Sequence, residues 1–250
     1  MTAERPLNVA HRGASGSAPQ NTLAAFRRAV ELGADGVELD VHLSADGVPV
    51  VIHDFAVENT TDGSGRVADL PLAALQELDA GAWFDATFSG ERIPTLEQVL
   101  DDAGPRLLVN VELKALDGVD RGLEAVVAAV VERRGVPERL LFSSFEPQAL
   151  CRMQRLAPHI PRALLYGPAP LSILTFLRAR RRRELKLAGV SPHWSLLRPA
   201  AVRRAHARGR RVTAWTVDEP QRMRRLVAWG VDAIITNYPD RLRKVLEAAR

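Results

Sequence analysis

Eight short apolar runs recur along this chain, and nearly every one is followed by a stretch whose apolar residues return at helical spacing. The runs read as strands at Leu7–Ala10, Gly36–Leu43, Arg106–Lys114, Leu140–Phe145, Ala163–Tyr166, Leu187–Ser191, Val212–Val217 and Ala233–Thr236. Helices are expected from Asn21-Thr22 to Gly33, from Thr95 to Ala103, around Leu123–Val130, at Gln148–Leu156, Leu171–Arg183 and Pro199–Ala207, from Asp218 to Gly230, and at Arg241–Ala249. Thr95-Leu-Glu-Gln98 has the form of a capping box. Apolar strands alternating with amphipathic helices bury a parallel sheet on both faces, and eight such units in 250 residues match the size of a (β/α)8 TIM barrel. No linker or fixed repeat marks a boundary, so residues 1–250 are expected to form a single barrel domain.

One run breaks the alternation. Val48–His53 follows the tight turn Ser44-Ala-Asp-Gly47 and returns antiparallel. Setting Leu43 opposite Val48 would place Glu38 opposite His53. Residues 55–93 carry turn signals such as Asp62-Gly63-Ser64-Gly65 and no long periodic element. They are expected to form a small insertion after strand two that covers one face of the barrel.

Composition bounds the rest. The chain is 46% apolar, yet no apolar run reaches the roughly 20 residues of a membrane helix. The first residues have neither the basic nor the apolar segment of a secretory signal, so the expectation is a cytoplasmic protein without a transmembrane segment. The one cysteine, Cys151, excludes an intrachain disulfide and falls in an expected helix as a packing residue. Net charge is +4, and all but three of the 34 basic residues are arginine. The basic run Arg178–Arg183 reads as a solvated helix end. It has no interleaved aromatics on which bases could stack, so no nucleic-acid partner is expected. Peripheral contact with a membrane surface stays open, as does the oligomeric state.

In such barrels chemistry sits at the C-terminal ends of the strands. His11 and Arg12 end the first strand, Glu38 and Asp40 lie on the second, Glu112 and Lys114 end the next parallel strand, and His53 ends the returning one. Side chains two apart on a strand share a face. Glu38 and Asp40 therefore point together, as do Glu112 and Lys114. Three neighbouring carboxylates repel unless a cation sits among them, and an all-oxygen set suits a hard divalent ion, Mg2+ or Ca2+, better than zinc. Arg12 offers a planar fork and Lys114 a point charge for an anion. Two histidines flanking that anion suit one proton acceptor and one donor. The set fits cleavage of a small-molecule phosphodiester. Taken singly, each element has a structural reading: a strand-end ion pair, or a hairpin histidine satisfied by water. Their arrival at one end of three consecutive strands favours the functional one. Gly13-x-x-Gly16 lacks the further glycines of a dinucleotide site.

The segments HRGASG-x-x-P-x-NT-L-x-AF, GADGVELDVHLSADGVPVVIHD, TTDGSGRV, IPTLEQVL and VELK closely resemble the glycerophosphodiester phosphodiesterase family, with weaker matches at residues 143–145, 214–217 and 236–240. The resemblance implies a (β/α)8 barrel with an insertion after strand two. It also implies metal-dependent hydrolysis of glycerophosphodiesters to sn-glycerol 3-phosphate and an alcohol. Position by position it places metal ligands at Glu38, Asp40 and Glu112, acid–base histidines at His11 and His53, phosphate contacts at Arg12 and Lys114, and an aromatic lining residue at Trp215. Alternatives are a lysophospholipase D-type phosphodiesterase, with Trp83, Phe84 and Phe88 receiving an acyl chain, and a non-catalytic phosphoester-binding barrel. The chain departs from the family at Gln20, where glutamate is usual, at Asn59, where arginine is common, and at Asn237, where aspartate is frequent. These departures are expected to bear on substrate choice and not on the chemistry.

Overall fold

The computed structural model describes residues 5–115, 122–135, 137–169 and 185–249. The expected helix Leu171–Arg183 and the basic run Arg178–Arg183 lie outside the described residues. Eight parallel strands close on themselves: β1 (Leu7–His11), β2 (Gly36–Leu43), β4 (Leu108–Leu113), β5 (Leu140–Ser144), β6 (Arg162–Tyr166), β7 (Gly189–Pro192), β8 (Arg211–Ala214) and β9 (Ala233–Thr236), with β1 pairing both β2 and β9. This is the expected (β/α)8 barrel. A ninth strand, β3 (Pro49–Val51), runs antiparallel to β2. No helix among the described residues is long and apolar enough to cross a membrane.

The two faces of each strand explain the packing. Val37, Leu39 and Val41 of β2 and Val109, Val111 and Leu113 of β4 point outward into a core shared with the surrounding helices. That core takes Phe26 from α1 (Leu23–Glu31) and Leu96, Val99 and Leu100 from α3 (Leu96–Asp102). The alternate residues, Glu38, Asp40, Asn110 and Glu112, face the barrel axis. Phe26 is fully buried, and its loss should cost about 3–5 kcal/mol. The capping box at Thr95 and Gln98 is present in full. Thr22 caps α1 by accepting from the Ala25 amide, whereas Asn21 takes a left-handed conformation (φ 60) and turns its side chain elsewhere.

Among the described residues the barrel also carries α4 (Leu123–Arg134), α5 (Pro147–Leu156), α6 (Pro199–His206), α7 (Pro220–Ala228) and α8 (Pro239–Glu247). Each of α5 to α8 begins at a proline, whose missing N–H costs nothing in a first turn. Cys151 on α5 packs against the small cluster of Leu150, Leu164 and Leu185. Residues 55–93 hold one short α-helix, α2 (Leu72–Glu77), two 3-10 turns at Val67–Asp69 and Ala86–Phe88, and a separate core of Val57, Val67, Leu75, Ala80 and Ile93 that closes on Val50 and Ile52.

The hairpin register differs from expectation by one residue. Val41 faces Val51 and Leu43 faces Pro49, so Leu43 does not pair with Val48. The cause lies in the turn: the Ser44 amide donates to the Val48 carbonyl at 3.0 Å, and the Ser44 hydroxyl oxygen accepts from the Val48 amide at 2.9 Å. Val48 therefore closes the turn and does not begin the strand. On that register His53 would face away from Glu38. The ladder ends first: the Val51 amide donates to Pro94 and the Ile52 amide to Asp40, after which the chain bends and brings His53 to the mouth.

Candidate active site

Strand pairing brings the acidic groups together. His11 lies beside Glu38 in the β1–β2 ladder, and Asp40 lies beside Glu112 in the β2–β4 ladder. All three carboxylates are buried, and one oxygen from each lies within 4.8 Å of the others. Burial leaves little solvent to screen their repulsion. Glu38 is pushed well above the usual carboxylate range by burial and then by the charges of Asp40 and Glu112. Glu112 is pushed to about 7, mainly by burial, although Lys114 beside it opposes the rise. Asp40 is held to about 2 against its own burial, because Lys114 and Arg12 flank it.

Those two cations are placed by the ends of β1 and β4. Lys114 Nζ lies 3.1 Å from Glu112 Oε1 and 3.3 Å from Asp40 Oδ1. Arg12 Nε lies 3.3 Å from Asp40 Oδ2, its Nη1 donates to Gln20 Oε1 at 2.7 Å, and its backbone amide donates to Glu38 Oε2 at 3.2 Å. Arg12 has φ 55, a left-handed conformation that costs a non-glycine residue about 1–3 kcal/mol. Gly13 follows at φ 80, where a Cβ would meet the Ala25 backbone at 2.6 Å, so the turn can lie against α1 only as glycine. Asn21 donates from Nδ2 to Asp40 Oδ2 at 3.0 Å. Its strained backbone serves this contact. A cleft of about 220 Å3 opens beside Lys114, lined also by His42, Phe55 and Arg66.

His11 reaches the cluster, His53 feels the charge of Asp40, and each is held from behind. His11 Nε2 lies 4.0 Å from Glu38 Oε2, while Nδ1 meets Asn237 Oδ1 at 2.7 Å. Burial and the nearby Arg12 charge lower its pKa to about 4. His53 Nδ1 meets Asp54 Oδ1 at 2.5 Å, and Asp54 accepts from Asn59 Nδ2 at 2.7 Å. Burial lowers His53 as well, although Asp40 and Asp54 pull it upward. His42 donates from Nε2 to the His53 carbonyl at 3.0 Å and fixes the bend.

Trp215 stands elsewhere. It follows β8, donates from Nε1 to the Ser191 carbonyl at 2.7 Å, and makes edge contacts with Phe145 and His193 at 5.5 and 5.2 Å between ring centres. This aromatic wall faces β2 and β4 across the barrel, given the strand order. His193 carries no sequence signal beyond its position after β7, whereas Phe145 ends the weaker family match at residues 143–145 and Asp54 ends the strong one that contains His53. Asn21 and Asp218 carry only the signal of a helix start.

The three departures from the family pattern all touch the site, though none touches a clustered carboxylate directly. Gln20 holds Arg12, Asn59 holds Asp54 behind His53, and Asn237 holds His11. A glutamine at position 20 does not release Arg12, because its amide oxygen accepts from Nη1 at 2.7 Å, although without the charge of a carboxylate.

The arrangement can hold a dication beside an anion, with two imidazoles at hand. Comparison with known proteins agrees with that chemistry. The chain is 40% identical to a glycerophosphodiester phosphodiesterase of Caldanaerobacter subterraneus, covering 95% of this chain and 96% of the relative. It is 32% identical to a Bacillus subtilis glycerophosphodiester phosphodiesterase over 98% and 88% of the two chains. A solved Oleispira antarctica phosphodiesterase in complex with the product sn-glycerol-3-phosphate superposes with a TM-score of 0.86 at 33% identity, covering 97% of each chain. The model of the glycerophosphoryl diester phosphodiesterase family matches residues 11–241. With barrel, acidic cluster and sequence in accord, the chain belongs to the glycerophosphoryl diester phosphodiesterase family.

Proposed function

We propose that this protein hydrolyses glycerophosphodiesters to sn-glycerol 3-phosphate and an alcohol at the mouth of the barrel, using a divalent cation held by Glu38, Asp40 and Glu112. The observation that carries the reading is the buried carboxylate trio. Its oxygens lie within 4.8 Å of one another, and burial raises two of its members toward neutrality. A dication there would let all three ionise. The donors are oxygens only, a set that accepts Mg2+ or Ca2+. When bound, such an ion polarises phosphoryl oxygens and offsets charge that develops on them.

The chain's own residues supply the rest. Arg12 and Lys114 border the cluster as guanidinium and ammonium and bind the phosphate oxygens. The bond from phosphorus to the leaving alcohol breaks as one forms to an incoming oxygen, either from water directly or from the glycerol 2-hydroxyl, in which case water then opens the cyclic phosphate to sn-glycerol 3-phosphate. One of His11 and His53 accepts the proton of the incoming oxygen, and the other returns one to the leaving oxygen. Trp215 lines the far side of the mouth. The test is a panel of glycerophosphodiesters with purified protein, first chelator-stripped and then restored with Mg2+ or Ca2+, scored by glycerol 3-phosphate release. Binding of the diesters without metal-dependent release would leave a phosphoester-binding barrel instead.

A second reading keeps the chemistry and exchanges the substrate for a lysophospholipid. Trp83, 44% exposed, packs edge-on against Phe84, which in turn contacts Phe88. This aromatic tip of the insertion has the character of a surface that receives an acyl chain or a membrane. Head-group release from lysophosphatidylcholine faster than from glycerophosphocholine would favour it.

A further inference from the structure

Behind His11 lies a chain of contacts whose donors and acceptors can be assigned without ambiguity. Asp218 Oδ1 accepts from the Asn237 backbone amide at 2.9 Å and from the Thr236 hydroxyl at 3.1 Å, and its Oδ2 accepts from Asn237 Nδ2 at 2.7 Å. A carboxylate only accepts, so the Asn237 amide cannot be turned over: its nitrogen must face Asp218 and its oxygen must face away. On that far side Oδ1 meets Ser15 Oγ at 2.8 Å and His11 Nδ1 at 2.7 Å. An amide oxygen also only accepts. The hydrogen of this bond therefore belongs to Nδ1 of His11, and in the neutral ring Nε2 carries the bare lone pair. Nε2 is the ring atom on the Glu38 side, 4.0 Å from Oε2.

The loops that carry these groups are interlocked. The Gly16 amide donates to the Asn237 carbonyl at 2.9 Å, and a Cβ on Gly16 would lie 2.3 Å from the Tyr238 ring. Only glycine lets the loop after β1 close this tightly on the loop after β9. Asn237 is thus held from its backbone as well as from both ends of its amide.

We propose that Asn237, anchored by Asp218, is a positioning residue that keeps His11 in the tautomer with hydrogen on Nδ1, so that Nε2 is the atom offered to a proton at the reaction centre. The proposal rests on the reading of His11 as a proton-transfer group, but the tautomer itself can be observed without turnover.

The test is a long-range 1H–15N correlation spectrum of the imidazoles in metal-stripped protein, recorded where the rings are neutral, with His11 assigned by its loss in His11→Ala. The wild-type spectrum should show His11 with hydrogen on Nδ1. Asn237→Leu, which removes the acceptor, should move the hydrogen to Nε2 or mix the two forms, and should lower kcat by roughly 10–100-fold with little change in KM. The exchange Asp218→Asn with Asn237→Asp reverses the bond between the two residues but leaves an oxygen that only accepts against Nδ1, and should keep both the tautomer and most of kcat. A wild-type His11 with hydrogen on Nε2 would overturn the proposal even if Asn237→Leu failed to fold. So would an Asn237→Leu protein with unchanged tautomer and unchanged kcat. A wild type with the Nδ1 tautomer but no diesterase turnover would uphold the positioning role and refute the enzymatic reading alone.

Discussion

The barrel mouth has two unlike walls. Around β2 and β4, three carboxylates are buried within 4.8 Å of one another; Arg12 and Lys114 pair with Asp40, and Lys114 with Glu112, whereas Glu38 meets only the Arg12 backbone amide and the neutral His11 ring. Around β7 and β8 the wall is aromatic: Trp215 against Phe145 and His193, with Arg222 stacked 3.4 Å over Trp194. Both walls stand on strands whose outer faces are packed with aliphatic side chains. The difference therefore comes only from what the inward-facing positions carry. Charge gathered on one side builds the field that a reacting phosphate needs. The ring faces on the other side offer contact area and little charge. Reaction and substrate fit are accordingly assigned to opposite walls, and mutations on the two sides should fail in different ways.

The largest effect is expected on the charged wall. Glu38→Gln should lower turnover by on the order of 10³-fold, and His11→Ala by roughly 10²–10⁴-fold, with circular dichroism and melting temperature near those of wild type. A folded Glu38→Gln enzyme with near-normal kcat would erase the distinction between the walls.

Next in size is a pH effect confined to the same wall. Glu112 is raised to about 7, so below that pH an entering dication must displace a proton that the carboxyl holds. Glu38, also raised by burial, must give up its proton too, so affinity for Mg2+ or Ca2+ should fall by at least about tenfold per pH unit below 7, with proton release visible as a buffer-dependent heat in calorimetry. His11, lowered to about 4, stays neutral over that range and adds nothing to the slope. Affinity independent of pH between 5.5 and 7.5 would show that the trio does not bind the ion.

On the aromatic wall the expected loss is smaller and of another kind. Trp215→Ala should raise KM by roughly tenfold and change kcat by less than about threefold, since it removes contact area and no charge. The smallest effect belongs to the outermost support: Asn59→Ala removes one of the hydrogen bonds to Asp54 and should cost about two- to fivefold in kcat. A loss from Asn59→Ala as large as that from His11→Ala would mean that His53 depends on its support far more than the hydrogen bonds indicate.

How much of this was legible in the sequence depends on the range of the interaction concerned. Strand parity is local, so the inward direction of Glu38, Asp40 and Glu112 could be read from their spacing, as could the capping box at Thr95 and the bounds of β2 and β9. The hairpin register could not, because it turns on a single hydroxyl, Ser44 Oγ, that absorbs Val48 into the turn. Asn21 looked like a cap by composition and is instead a strained residue bonded to Asp40. The supports of the two histidines were least visible. Asn237 meets His11 across 226 residues of sequence, a distance that no local pattern spans. Even where family resemblance marked Gln20, Asn59 and Asn237 as unusual, only the structure shows that they hold Arg12, Asp54 behind His53, and His11.

The central claim is that Glu38, Asp40 and Glu112 together hold a dication. Anomalous diffraction from crystals soaked in Mn2+ tests it most directly. The account requires a single strong peak bounded by these three carboxylates and its disappearance in Glu38→Gln crystals. A manganese peak bound elsewhere on the molecule, with the trio left free of metal at saturating concentration, would contradict it.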